Sequence, residues 1–142
     1  MLTKADLTAE TLAYMLEQSA DCIKLIGLEG EILWMNPNGL CLMETGDFGD
    51  FENRQWSEFW PEESRAAIRS GLISAAMGNV ARFDSYCATA KNTMKRWSVS
   101  ISRLIDANKE HVGYLAVSRD ISNLKTCPHC AAPGNEQIVA AG

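Results

Sequence analysis

The sequence predicts an α+β fold in which one five-stranded antiparallel sheet carries helices over one face and a further helix precedes the sheet. Three observations predict this fold. Two short apolar runs flank a glycine-containing turn over residues 22–35, the clearest helical pattern covers 61–77, and three strand patterns fill 80–122. The strand patterns come before and after the long helical pattern in the sequence, and we expect them to meet in one sheet. The leading helix, over 8–18, must then cover another surface.

The first half of the chain carries local signals for a helix, a hairpin and a second helix. Thr8 can cap the leading helix, whose apolar residues fall on one side. A β-hairpin follows over 22–35, and Gly30 supplies the conformational freedom that its turn needs. Pro37 rules out a continuing central strand but suits a first helical turn, so we expect a short helix capped by Asn36.

The second half begins with irregular structure and ends with strands. We expect the short helix to stop at Gly46, and the segment 46–60 to form loops and single helical turns. The long helix then begins at Pro61, with acidic residues in its first turn. Over 94–105 serines alternate with apolar residues, which predicts a half-buried strand.

Composition and charge limit the function classes. The chain has 142 residues, of which 46% are hydrophobic and 22% charged, an ordinary mix for one globular domain. The formal net charge of −5 argues against nucleic acid or an anionic membrane surface as a main partner. No apolar run approaches the roughly 18 residues of a membrane span, and no signal sequence follows Met1. We therefore expect a cytoplasmic protein.

Three stretches, taken together, resemble a PAS domain. "SADCIKLIGLEGEILWMNPNG" resembles the opening hairpin of that family, "KNTMKRWSVSISRLID" its long fourth strand, and "GYLAVSRDIS" its closing strand. The order and spacing of the three make the resemblance specific, although Asn92 and Arg103 stand where the family often has Gly and Pro. The implied organisation is an N-terminal capping and dimerisation helix over 1–20, a PAS domain over 21–124 and a flexible tail over 125–142.

The resemblance implies a sensory or interaction module rather than an enzyme. PAS domains resemble a cupped sheet that encloses a pocket for a small ligand, a flavin or a haem, and they often dimerise through the leading helix. The implied relay runs through the segment after the last strand, here 121–126, and the implied partners are a second copy of the chain and a histidine kinase or other output domain. The side chains expected at the dimer interface are Leu12, Tyr14, Met15 and Leu16.

Matching the strands to flavin-binding relatives assigns the side chains that would face the pocket. The expected ligand-binding residues are Lys24, Ile26, Asn36, Ile68, Leu72, Phe83, Ser85, Cys87, Trp97, Val99, Tyr114 and Ser118, with Ile101 and Ala116 beside them. The set is mostly apolar with a few polar groups, as ligand pockets tend to be. A filled core has the same composition, and we favour a core that side chains fill partly or wholly.

Among cofactors, non-covalent FAD is the leading candidate. Trp34, Trp56, Trp60 and Trp97 could stack on an isoalloxazine, although aromatic side chains also fill cores. The light-sensing branch of the family, which forms a covalent FMN adduct, needs a Cys that "FENRQWSEFW" lacks. Haem is not expected, because residues 50–80 contain no His and the two histidines are His111, at the start of the last strand, and His129.

Lys24 stands out because it interrupts the apolar run "CIKLI". If it faces the pocket, it could pair with an anionic ligand or a carboxylate. If it faces the leading helix, it extends to solvent or meets Glu17 or a partner chain. We favour the second placement.

The sequence does not indicate an enzyme, because it offers no convergent acid, base and nucleophile and no phosphate-binding glycine loop. Cys127 and Cys130 form a C-x-x-C, which supplies two of the four ligands of a zinc site. No second pair follows in the sequence, so we favour an unligated tail. A metal or disulfide shared between two chains remains the alternative.

Overall fold

The computed structural model describes residues 2, 3, 5 and 8–123, and it confirms the predicted α+β fold. Three helices are present in this part of the chain: α1 (Ala9–Gln18), α2 (Pro37–Leu42) and α3 (Glu62–Ala76). The strands are β1 (Cys22–Ile26), β2 (Ile32–Met35), β3 (Ala81–Ala88), β4 (Met94–Ile105) and β5 (His111–Asp120). Between α2 and α3, Phe48–Asp50 and Trp56–Phe59 form short 3₁₀ turns, as expected for an irregular segment.

The five strands form one antiparallel sheet in the order β2-β1-β5-β4-β3. Burial alternates along β3, β4 and β5, so one face of the sheet is covered and the other is partly open. The predicted inward side chains of these strands are all buried, which confirms their assignment: Phe83, Ser85, Cys87, Trp97, Val99, Ile101, Tyr114, Ala116 and Ser118.

Helix α3 packs closely against the inner face of β3 and β4. A Cβ atom at Gly71 would lie 2.8 Å from Cδ1 of Ile101, so the absent side chain lets the helix approach the strand. At the start of the helix, the hydroxyl oxygens of Ser64 and Ser85 lie 2.5 Å apart in a buried hydrogen bond. These contacts fix α3 as one wall of the core.

Helix α2 ends earlier than the sequence predicts. It stops at Leu42 instead of continuing toward Gly46, because Glu44 adopts the left-handed conformation that usually requires glycine, with φ of 58°. The backbone N–H groups of Glu44 and Thr45 donate to the last free carbonyls of the helix. Thr89 donates to the Glu44 carboxylate at 2.7 Å, so the β3–β4 turn holds this residue in place.

Gly113 lies where β5 passes closest to β1. A Cβ atom there would be 2.7 Å from the backbone oxygen of Ile26, an atom that cannot move without shifting the strand. We expect Gly113→Ala to lower the free energy of unfolding by about 1–3 kcal/mol. Gly46→Ala is the matched control, because nothing lies within 4 Å of its Cβ position, and it should change stability by less than about 0.5 kcal/mol. Urea unfolding of both variants checks this, and equal effects would contradict it.

Candidate functional site

A small cavity lies between the inner face of the sheet and the segment that joins α2 to α3. Its volume is about 20 Å³. Its walls are formed by Lys24, Ile32, Met43, Phe51, Trp56, Phe59, Trp60, Cys87, Trp97 and Ser118. This space holds about one water-sized group. Pockets for drug-sized ligands measure roughly 300–1,000 Å³, so the core is almost filled by side chains.

Aromatic rings occupy most of the space beneath the sheet. Trp56 and Trp60 meet edge to face with ring centroids 6.1 Å apart, and Trp60 meets Phe83 at 6.0 Å. The indole N–H of Trp97 donates to the carbonyl of Cys87 at 3.2 Å. Edge-to-face packing and a satisfied indole N–H are typical of a well-packed aromatic core.

Lys24 points into this cavity. It is only 5% exposed, and it pairs across the sheet with Ala116 of the inner face. The outward placement that we favour from the sequence is therefore wrong. Alternation along β1 does not reveal which face is inward, because Ile23 on the other face of the strand is buried as well.

The Lys24 ammonium is poorly paired for a buried charge. Its Nζ has one hydrogen-bond partner within the described residues, the Sγ of Cys22 at 2.9 Å. No aspartate or glutamate lines the cavity. A buried ammonium normally gains a carboxylate or several hydrogen bonds, because losing water costs several kcal/mol. Lys24 is thus the most unusual group of the core.

Ser118 supplies a second polar group that is not fully hydrogen-bonded. It is 2% exposed, and its Oγ has no hydrogen-bond partner in the part of the chain that the structure describes. Ser118 lies directly across the sheet from Cys22, the thiol that contacts Lys24. Buried hydroxyls are almost always hydrogen-bonded, so two under-satisfied donors in one cavity indicate space for a polar guest.

Cys87 is a buried thiol on the same wall. Burial raises its pKa to about 11, and the nearby charge of Lys24 only partly opposes this. Its Sγ donates to the carbonyl of Phe59 at 2.9 Å. At neutral pH the group is therefore a thiol and a poor nucleophile.

We expect iodoacetamide at pH 8 to label Cys87 at least about 100-fold more slowly than the exposed Cys41, from the lower thiolate fraction alone. Peptide mapping by mass spectrometry separates the two sites, and unfolding in urea should make their rates similar. Equal rates in the native protein would show that the Cys87 wall opens readily.

Several residues predicted to bind a ligand lie elsewhere. Ile26, Phe83 and Val99 are buried in the hydrophobic core but do not line the cavity. Ser85 is paired with Ser64 of α3. These four residues therefore contribute to core packing and do not form part of the cavity wall.

Ile68, Leu72 and Tyr114 line a second, open cleft of about 600 Å³ between α3 and the β1–β2 turn. It opens to solvent on the side of the molecule where Ile73 and Met77 are exposed. The predicted ligand-binding set thus does not meet at one site. Only Lys24, Cys87, Trp97 and Ser118 of that set line the interior cavity.

Asn36, also predicted to bind a ligand, is instead saturated by the backbone. Its Oδ1 accepts from the N–H groups of Ile23 at 2.9 Å and Gly39 at 3.0 Å. Its Nδ2 donates to the carbonyls of Leu16 at 3.2 Å and Asp21 at 3.0 Å. The residue caps α2 and joins α1 to the sheet, and no polar atom is left for a ligand.

A flavin does not fit the cavity. An isoalloxazine needs far more than 20 Å³. The indoles of Trp56, Trp60 and Trp97, which we expected to stack on a flavin ring, line the small cavity and leave no space for that ring. Trp34 lies on β2, outside the cavity wall. His111 is placed as expected for a strand-end residue and packs edge to face on Tyr114 at 4.8 Å.

His129, Cys127 and Cys130 lie outside the described residues, so the structure does not test their roles. Within residues 2, 3, 5 and 8–123, no three His, Cys, Asp or Glu side chains converge as metal ligands. No helix in the same part of the chain is long and apolar enough to cross a membrane.

The sequence analysis did not identify four of the ten residues of the cavity wall. These are Ile32, Met43, Phe51 and Phe59, and the last two belong to the segment between α2 and α3 that has no helical or strand periodicity. In this irregular segment the available signal is the spacing of Trp56 and Trp60, which are four residues apart and whose rings are in contact.

Comparison with known proteins assigns the fold to a family. The profile of the PAS fold matches residues 16–126, which is most of the chain. The chain belongs to the PAS family. PAS domains are generally sensory and signalling modules rather than enzymes. No curated protein sequence matches the chain at a significant level.

Three solved structures are similar to this PAS domain. The PAS domain of a Colwellia psychrerythraea protein has 18% identity and a TM-score of 0.71, covering 80% of this chain and 96% of that one. The PAS domain of an HTR-like protein from Haloarcula marismortui has 19% identity and a TM-score of 0.68, covering 83% and 95%. A domain of a sensory box histidine kinase/response regulator from Geobacter sulfurreducens has 16% identity and a TM-score of 0.66, covering 79% and 93%.

Proposed function

We propose that this PAS domain is a signal-input module in which a small ligand, held in the interior cavity, alters the dimer contact and the exit segment. Lys24 is the observation that carries the proposal. A buried ammonium with one thiol partner is costly in a purely structural core, whereas a ligand that supplies the missing contacts gives the residue a role. An output domain such as a histidine kinase is the proposed partner, because one of the similar structures comes from such a protein.

Lys95 provides a physical route from the cavity to the end of the domain. Its Nζ donates to the carbonyl of Leu42 at 2.8 Å, at the end of α2, and lies 3.3 Å from Oδ2 of Asp120, at the end of β5. Met43 and Trp97, which are neighbours of these contacts, line the cavity. A change in the cavity can thus reach the segment after β5 through one side chain.

Helix α1 is the proposed dimer contact. None of its residues is buried, and Leu12, Tyr14 and Met15 are between 46% and 61% exposed, with Leu16 partly covered. Asn36 ties the end of this helix to the sheet. A second copy of the chain, packed on the same helix, would bury these side chains.

Sedimentation of the full chain tests the dimer contact. We expect Leu12→Ser with Met15→Ser to weaken the dimer at least about tenfold, because two exposed apolar side chains lose their burial. The double variant Glu10→Ser with Glu17→Ser changes two other residues of α1 and should dimerise as the unaltered chain does, or slightly better. A monomeric unaltered chain, or equal effects of both variants, would refute the dimer part of the proposal.

The second candidate is an interaction module whose filled core binds no ligand. The small size of the cavity favours it. A screen of small neutral and charged metabolites, read as the thermal unfolding midpoint of the chain, separates the two functions. The sensor proposal expects at least one saturable stabiliser whose effect disappears in Lys24→Met. If no compound stabilises the chain, the interaction module is the better description.

A further inference from the structure

We infer that the cavity at Lys24 binds a small monovalent anion of the size of formate, nitrite or chloride, held by the ammonium of Lys24 and the hydroxyl of Ser118. This inference rests on the proposed sensor function and names the class of its ligand.

Charge identifies the class. Lys24 brings one positive charge into a space from which water is nearly excluded, and the walls described here contain no carboxylate to balance it. The remaining titratable groups that face it are the thiols of Cys22 and Cys87, and Cys87 is protonated at neutral pH. A guest with one negative charge restores neutrality, whereas a neutral guest leaves the ammonium unbalanced.

The free hydrogen-bonding groups of the cavity can donate to a guest. An ammonium has three N–H groups, and Lys24 uses one of them on Cys22. The Ser118 hydroxyl has no partner among the described residues. Two carbonyls of the cavity wall are already used, since that of Cys87 accepts from Trp97 and that of Phe59 accepts from Cys87. The Ser118 hydroxyl is neutral and can donate to an anion, and the ammonium repels a cation, so the site suits an anion and disfavours a cation.

Size limits the guest to an ion of one to three heavy atoms. The cavity of about 20 Å³ is only slightly larger than the roughly 10–15 Å³ that one water needs, and the large rings of Trp56 and Trp97 form part of its wall. Larger carboxylates could enter only if these rings moved, which a tightly packed core resists. Affinity should therefore fall as the anion grows from formate to acetate to benzoate.

The test uses urea unfolding of the full chain, since guanidinium chloride would itself supply an anion. At constant ionic strength, sodium gluconate is replaced stepwise by sodium formate, nitrite or chloride. We expect a saturable rise of the urea midpoint, and no rise with formamide, the neutral analogue of formate. Ser118→Ala should weaken formate binding about 10- to 100-fold, the loss of one hydrogen bond to a charged group.

Two lysine variants complete the test. Lys24→Met should abolish the response to formate, whereas Lys91→Met, at an exposed position, should keep it. The inference is overturned if the urea midpoint rises without saturating as the anion concentration increases, or if the rise is the same for every anion. That result would mean that water or the Cys22 sulfur satisfies Lys24. Stabilisation by formamide equal to that by formate also overturns the anion assignment but leaves the sensor proposal intact. The sensor proposal fails separately, if the metabolite screen finds no ligand of any charge.

Discussion

Replacement of Asn36 by alanine is expected to lower the free energy of unfolding by about 3–5 kcal/mol, a large effect for one side chain. The variant loses the N-cap of α2, which alone is worth about 1 kcal/mol. It also leaves the buried N–H of Ile23 and the partly buried carbonyl of Asp21 without their partner, at about 1–3 kcal/mol for each such group.

The control for this variant is Asn79→Ala, an exposed asparagine beyond α3, which should change stability by less than about 0.5 kcal/mol. Urea unfolding, followed by tryptophan fluorescence, measures both. Because Asn36 also joins the carbonyl of Leu16 to the sheet, amide hydrogen exchange of α1 should speed up in Asn36→Ala. A loss below about 1 kcal/mol would mean that Asn36 does not organise this junction.

Replacement of Lys24 by methionine is expected to act in the opposite direction and to stabilise the anion-free protein by about 1–3 kcal/mol. Methionine has a similar length and fills the same space, but it brings no charge that must be separated from water. A residue that costs stability and is nevertheless present is consistent with a functional role, and function often opposes stability in this way.

Lys91→Met again serves as the control, since it removes the same charge from an exposed position and should leave the free energy of unfolding within about 0.5 kcal/mol. The measurement is urea unfolding in gluconate buffer, without small anions. In saturating formate, the stability advantage of Lys24→Met over the unaltered chain should shrink or reverse, because only the unaltered chain gains from binding. If Lys24→Met is destabilised in gluconate, the ammonium has a favourable partner and the cavity does not need an anion.

The sequence predicts the fold well because local signals and tertiary contacts agree. Strict alternation over 94–105 gave the inner face of β4, and Pro37 after Asn36 gave the start of α2. The end of α2 was missed because Glu44, rather than Gly46, takes the left-handed position. That choice depends on Thr89, a contact between residues distant in the sequence.

The site was predictable only in part, for physical reasons. Matching the strands to flavin-binding relatives placed Cys87, Trp97 and Ser118 on the inner face, and they line the cavity. Alternation could not place Lys24, because residues on both faces of β1 are buried and apolar. The role of Asn36 was misassigned, because an asparagine suits both a helix cap and a ligand contact. Only the backbone partners of its side chain, which the structure shows, distinguish the two roles.

The most direct test of the central claim, that the core of this PAS domain holds an anion on Lys24, is a crystal structure of the full chain grown or soaked in sodium bromide. Bromide scatters anomalously and can be located without bias from neighbouring atoms. We expect one anomalous peak in the interior cavity, within hydrogen-bonding distance of both Lys24 Nζ and Ser118 Oγ. An interior without such a peak, with Lys24 turned to solvent or bound only to water, would contradict the claim.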